Sequence, residues 1–146
     1  MEFNELVKKI MRYNKNSDIR LIERVYEFVK IKTENKKRYS GKPLIEHYLE
    51  VANLTADLKV DDETICCALL HGLLNKGADP KEIKKEFGEV IFELLNNLEM
   101  MTEIKRNIVN KQHETEGLRK VLLAASKDIR VLFVKLCDKV INLREA

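Results

Sequence analysis

The chain is poor in the residues that break regular structure or staple small folds. It has no tryptophan, five glycines, two prolines and three cysteines in 146 residues. So few Gly and Pro, beside 45% hydrophobic and 35% charged residues, exclude a disordered or all-β protein and point to helices. The cysteines exclude two further classes. Cys66 and Cys67 are adjacent and Cys137 is remote, which makes neither a disulfide framework nor a CxxC metal clip, so reduced thiols in a core are expected. Long apolar runs are missing too: the longest, Ile65–Leu70, is too short to span a bilayer. The opening MEFNELVKKI carries acidic residues where a signal peptide is basic. The expectation is a cytoplasmic protein without a membrane partner. The length is that of one domain, 1–146, able to bury a real core. There is no internal repeat.

Charge is present but unevenly placed. Residues 1–42 hold twelve Lys/Arg against six Asp/Glu, while the remainder holds fifteen against eighteen, for a net charge of +3. Most N-terminal charges fall between apolar positions at helical spacing and read as solvated helix faces. Lys36, Lys37, Arg38 and Lys42 form a short basic loop suited to phosphates. A nucleic-acid partner is not expected, because no reading motif accompanies the charge and aromatics are few.

The hydrophobic period is helical throughout. Phe3, Leu6, Val7, Ile10 and Met11 predict a helix over 3–13. Ser17 is a candidate cap for a second helix with the stripe Ile22, Val25, Tyr26 and Val29, ending near Asn35. Pro43 suits the first turn of a third, in which His47, Val51, Leu54 and Leu58 line up and turn His47 inward. DDETICCALLHGLLNKG is apolar on nearly all sides between Thr64 and Leu74 and predicts a buried central helix. Asp79-Pro80-Lys81-Glu82 has the parts of a capping box, and Gly88 closes that short helix. Further helices are expected at about 89–101, 114–125 and 128–144, with 102–115 a loop or a helix extension. No strand-like alternation competes, so the fold class is all-α, a compact multi-helix body.

His47 and His71 lie on apolar backgrounds where an unpaired imidazole is costly, and Asp138 interrupts the apolar VLFVKLCDKVINL. Two histidines and a carboxylate can hold a divalent ion. On the residues alone an alternative stays open: satisfied core histidines, with Asp138 paired to Lys135 one turn away. Asn142 shares the face of Asp138 at i+4 and suits a binding or a structural network.

Beyond these residues, RYSGKPLIEH (38–47), ALLHG (68–72), KKEFGEVIFELLNNL (84–98) and LRKVLLAASKDIRVLFVKLCDKVINLR (118–144) follow one another at a familiar spacing. Over roughly 36–146 the chain resembles the hydrolase domain of the RelA/SpoT family. That His-Asp (HD) domain removes pyrophosphate from guanosine tetra- and pentaphosphate. The resemblance implies an HD fold with metal residues at His47, His71, Gly72 and Asp138, and a catalytic Glu-Asp pair at the positions of Asn75 and Lys76. Arg38 and Asn142 match nucleotide-contacting positions, and Ser40 lies in the same loop.

The departures cluster. Gly72 replaces a metal-ligating Asp, Asn75 and Lys76 replace both carboxylates that position water, and Ile141 stands where the family has a His. Gly72 also weakens a continuous helix by roughly 1 kcal/mol against Ala. The family's domain continues past N-L-R with more helices, so the Asp138 helix is expected to be covered by a partner chain or left exposed. Three functions follow. The first is a degenerate domain that binds a guanine nucleotide alarmone or a protein partner without efficient hydrolysis. The second is a Mn²⁺-dependent guanosine polyphosphate pyrophosphohydrolase of reduced activity, its Mn²⁺ weakly held. The third is a structural module, including a homo-oligomer.

Overall fold

The computed structural model describes residues 2–107, 119 and 128–145. Among these the elements are α1 (Phe3–Tyr13), α2 (Ile19–Lys32), α3 (Leu44–Ala56), α4 (Asp62–Leu70), α5 (Pro80–Phe87), α6 (Glu89–Asn107) and α7 (Ile129–Glu145). A 3₁₀ turn, Leu74–Lys76, joins α4 to α5. No strand is found among the described residues, only an isolated bridge between Lys37 and Pro43.

The centre is α4. Every residue from Thr64 to Leu70 is buried, and the helix packs against α2, α3, α6 and α7, as all-round apolar character requires. Its start is held by Asp61, whose side chain accepts from the Thr64 amide at 2.9 Å. Its end differs from the sequence expectation. The helix stops at Leu70 instead of Leu74, because Gly72 adopts φ +82°, a left-handed conformation that terminates helices and that glycine alone enters freely. Gly72 is therefore a stop signal, and the expected cost of a glycine inside a helix does not arise.

Other boundaries moved for local reasons. The cap of α2 is Asp18, accepting from the Leu21 amide at 3.1 Å. The neighbouring Ser17 instead donates to Asp62 at 2.5 Å and ties the start of α2 to the start of α4. The second helix ends at Lys32, before a turn in which Asn35 has φ +63°. Asp79 caps α5 with Pro80 in its first turn, and Gly88 ends it, as the motif implied. The sixth helix runs on to Asn107, so the first part of 102–115 is a helix extension. The helix expected at 114–125 lies outside the described residues apart from Arg119, which is helical.

The core joins Leu6 and Ile10 of α1, Ile22 and Val25 of α2, the inner faces of α3 and α6, and Val131, Val134, Cys137 and Ile141 of α7. All three cysteines are free and buried. Leu136, Val140 and Leu143 leave an exposed apolar stripe on the outer side of α7. No helix among the described residues is long and apolar enough to cross a membrane.

Candidate metal centre and its pocket

Three helices deliver three side chains to one point. His47 comes from the second turn of α3, His71 from the residue that ends α4, and Asp138 from the middle of α7. One ligand atom from each lies within 4.8 Å of the others. His47 Nε2 is 3.0 Å from Asp138 Oδ1 and His71 Nε2 is 3.1 Å from the same oxygen. The alternative pairing of Asp138 with Lys135 is thus not what engages this carboxylate. Both histidines are buried.

The far side of each ring decides what this cluster can hold. His71 Nδ1 is 2.5 Å from the Ala68 carbonyl oxygen, which can only accept, so Nδ1 carries the proton. His47 Nδ1 faces Glu145 Oε1 at 3.4 Å, again an acceptor. In the neutral tautomers so fixed, both Nε2 lone pairs point at a carboxylate oxygen. Three electron-rich atoms converging in a buried place demand a positive charge among them, either ring protons or a cation. Bonds of about 2.0–2.2 Å put adjacent ligands roughly 3–3.5 Å apart. The observed spacings and the donor set therefore fit a divalent ion, with Nδ1–H anchors of the kind metal-binding imidazoles use.

Asp138 shows the field of this cluster. In the ion-free cluster, where protons on Nε2 supply the positive charge, burial pushes the Asp138 pKa up, but hydrogen bonds from His47 and His71 and their charge outweigh that and hold the carboxyl well below its ordinary range. Burial, with the Asp138 charge adding to it, pushes the Tyr48 phenol up to about 12, so its hydroxyl stays protonated at neutral pH.

The cluster forms the floor of a pocket of about 470 Å³, lined also by Lys37, Arg38, Tyr48, Gly72, Asn75, Lys76, Lys135 and Asn142. Arg38 is fixed twice. Its backbone amide donates to the Lys42 carbonyl at 2.9 Å within the basic loop, and its Nη2 donates to Asn142 Oδ1 at 2.8 Å. Of the three residues assigned to nucleotide contact by resemblance, Arg38 and Asn142 thus meet at the pocket, whereas Ser40 is exposed in the turn and is not among the lining residues.

Gly72, Asn75 and Lys76 line a further part of the wall. A Cβ at Gly72 would come within 3.0 Å of the Tyr48 hydroxyl. An Asp here would strain the left-handed backbone and need the Tyr48 phenol to give by a few tenths of an ångström. Asn75 and Lys76 are exposed on the 3₁₀ turn. Ile141, at the family's His position, is buried in the core.

Sequence reasoning missed two residues. Tyr48, next to His47, packs edge-on to the His71 ring at 4.6 Å. Glu145 touches Arg38, Lys42 and His47 from the last turn of α7.

A model of the HD domain matches residues 25–146. The chain is 39% identical over 143 residues to the GTP pyrophosphokinase rsh of Brucella melitensis, covering 96% of this chain and 19% of that protein. It is 37% identical over 141 residues to the guanosine-3′,5′-bis(diphosphate) 3′-pyrophosphohydrolase of Aquifex aeolicus, covering 96% of this chain and 19% of that one. Identity to the bifunctional (p)ppGpp synthase/hydrolase SpoT of Escherichia coli K12 is 31% over 143 residues, or 97% of this chain and 20% of SpoT. The chain spans about a fifth of the length of these relatives.

Proposed function

The chain belongs to the HD domain family, with its likeness to the hydrolase region of RelA/SpoT proteins running over most of its length, and on that premise we propose that it is a metal-dependent guanosine polyphosphate 3′-pyrophosphohydrolase domain of reduced turnover. One observation carries this reading: His47 and His71 present Nε2 to a single oxygen of Asp138 while acceptors hold each Nδ1. A free drift of the site would not keep buried, mutually satisfied ligands with their anchoring acceptors.

His47, His71 and Asp138 would hold the cation, Mn²⁺ by resemblance. Bound there, it supplies Lewis acidity toward a phosphoryl oxygen. The remaining chemistry belongs to the chain. Arg38, steadied by Asn142, offers its guanidinium to a phosphate as a fork, while Lys37, Lys76 and Lys135 make the pocket attractive to a polyanion. Ser40 contributes at most from the exposed loop. Gly72, Asn75 and Lys76 stand on the wall where the resemblance places three carboxylates and cannot themselves take the proton of an attacking water; losing such a base commonly costs about 10²–10⁴ in rate, although another acidic side chain, Glu99, also lines the pocket.

That wall favours a second reading, nucleotide binding without turnover. The two separate in one experiment: Mn²⁺-dependent pyrophosphate release from guanosine-3′,5′-bis(diphosphate), run beside equilibrium binding of the same nucleotide. Slow release abolished by Asp138→Asn supports the hydrolase. Tight binding with no release above the Asp138→Asn background supports the binder. Absence of both overturns the nucleotide reading.

A further inference from the structure

Glu145 has no counterpart among the residues the resemblance assigns, yet its carboxylate contacts two residues that line the pocket, Arg38 and His47. Its carboxylate is largely buried, at 10% exposure. Oε2 lies 2.8 Å from Arg38 Nε, while Oε1 faces Lys42 Nζ at 3.9 Å and His47 Nδ1 at 3.4 Å. The Arg38 contact is ionic, since the N–H points off the line and neither atom completes a hydrogen bond. Lys42 is itself engaged by Glu50, so Glu145 reaches it only as a distant charge. What remains specific is the bridge from His47 to Arg38.

We infer that Glu145 is a positioning residue, which orients the His47 ring for cation binding through Nδ1 and holds the Arg38 guanidinium at the pocket mouth. The inference rests on reading His47, His71 and Asp138 as a cation site. Three arguments carry it. First, a buried carboxylate is stable only beside opposite charge or donors; Arg38 supplies the charge and His47 Nδ1–H the donor. Second, among the described residues Glu145 is the acceptor that His47 Nδ1–H faces, and without it the ring loses what selects Nε2 as the ligand atom. Third, Arg38 is gripped from both ends, Nη2 by Asn142 and Nε by Glu145, residues three apart on α7 and so on one face. One helix face therefore sets both the cation ligand and the phosphate-facing fork.

The molecule contains its own control. His71 Nδ1 is held by the Ala68 carbonyl and does not involve Glu145. Proton–nitrogen NMR of the full chain resolves the ring N–H of each histidine, and Mn²⁺ titration gives the affinity. Glu145→Ala is expected to bring the His47 Nδ1–H into fast exchange with water while that of His71 persists, and to weaken Mn²⁺ binding by about 10–100-fold. Glu145→Gln keeps an acceptor for His47 and removes the charge opposite Arg38. It is expected to retain the His47 signal, to weaken Mn²⁺ binding less than Ala does, and to weaken binding of guanosine-3′,5′-bis(diphosphate) by about tenfold, the range of one charge-assisted contact. Should Glu145→Ala fail to fold, Glu145→Gln decides alone: nucleotide affinity within about twofold of the unsubstituted chain, under 0.5 kcal/mol, overturns the role at Arg38. An unchanged His47 signal in folded Glu145→Ala overturns the role at His47. If the unsubstituted chain binds no Mn²⁺, the cation reading falls, and the histidine signals still judge the contact with Glu145.

Discussion

The two walls of the pocket are built to different standards. On one side α3, the end of α4 and α7 bring His47, His71 and Asp138 together out of the core, each ring nitrogen facing an acceptor. On the other, Gly72 turns through φ +82° and Asn75 and Lys76 stand exposed on a short 3₁₀ turn. The first wall cannot change without disturbing burial and several satisfied contacts. In the second, Asn75 and Lys76 face outward while Gly72 lies against Tyr48. A substitution at Asn75 or Lys76 therefore disturbs less packing than one at His47 or Asp138.

Substitutions that sample both walls sharpen the contrast. The largest effect is expected behind the buried wall: Ile141→Ala, on the inner side of α7, should lower unfolding free energy by about 2–5 kcal/mol in urea titrations. A loss under about 1 kcal/mol would mean that α7 is not docked as described.

Acid should act on the same wall through Asp138. Its folded pKa lies below the unfolded value, because the histidines outweigh burial. The unfolded chain therefore binds the proton first as pH falls. The stabilisation is complete above the ordinary carboxylate range, near pH 4, and is lost progressively below it. Melting temperatures between pH 6 and 3 should fall less steeply for Asp138→Asn than for the unsubstituted chain; parallel curves would refute the assigned partners.

A smaller effect belongs to the turn. Gly72→Ala should destabilise by about 1–2 kcal/mol, from the left-handed backbone and the 3.0 Å approach to the Tyr48 oxygen. Tyr48→Phe in the same chain should recover part of it, since only the oxygen is that close, giving a coupling of about 0.5–1 kcal/mol. Strict additivity would separate the two residues. The same geometry implies that Gly72→Asp, with Asn75→Glu and Lys76→Asp, restores a carboxylate wall only poorly while Tyr48 remains. The smallest effect is Lys76→Ala, expected within about 0.5 kcal/mol in stability, with weaker nucleotide binding that fades as salt rises.

Most of the helical order was legible, because apolar residues recur at helical spacing from Phe3 onward and caps such as Asp79-Pro80 declare themselves. The end of α4 was not. Hydrophobicity continues through Leu73, which is buried after the chain has turned, so an apolar run hid a helix stop that only the conformation of Gly72 reveals. The choice of Asp18 over Ser17 as the cap of α2 was equally hidden, since Ser17 is claimed by Asp62, distant in sequence. At the site, His47, His71 and Asp138 stood out as polar groups on apolar faces. Glu145 and Tyr48 did not, because a glutamate in a last turn and a tyrosine beside a core residue gain meaning only from what tertiary packing sets against them.

The most direct measurement is Mn²⁺ binding by the unsubstituted chain, followed by calorimetry and by the electron-spin-resonance signal of free Mn²⁺, with Asp138→Ala and Asn75→Ala beside it. The expected result is one site per chain, lost on Asp138→Ala and retained on Asn75→Ala. No saturable site in the unsubstituted chain, or equal binding by Asp138→Ala, would contradict the assignment of the buried wall as a cation site.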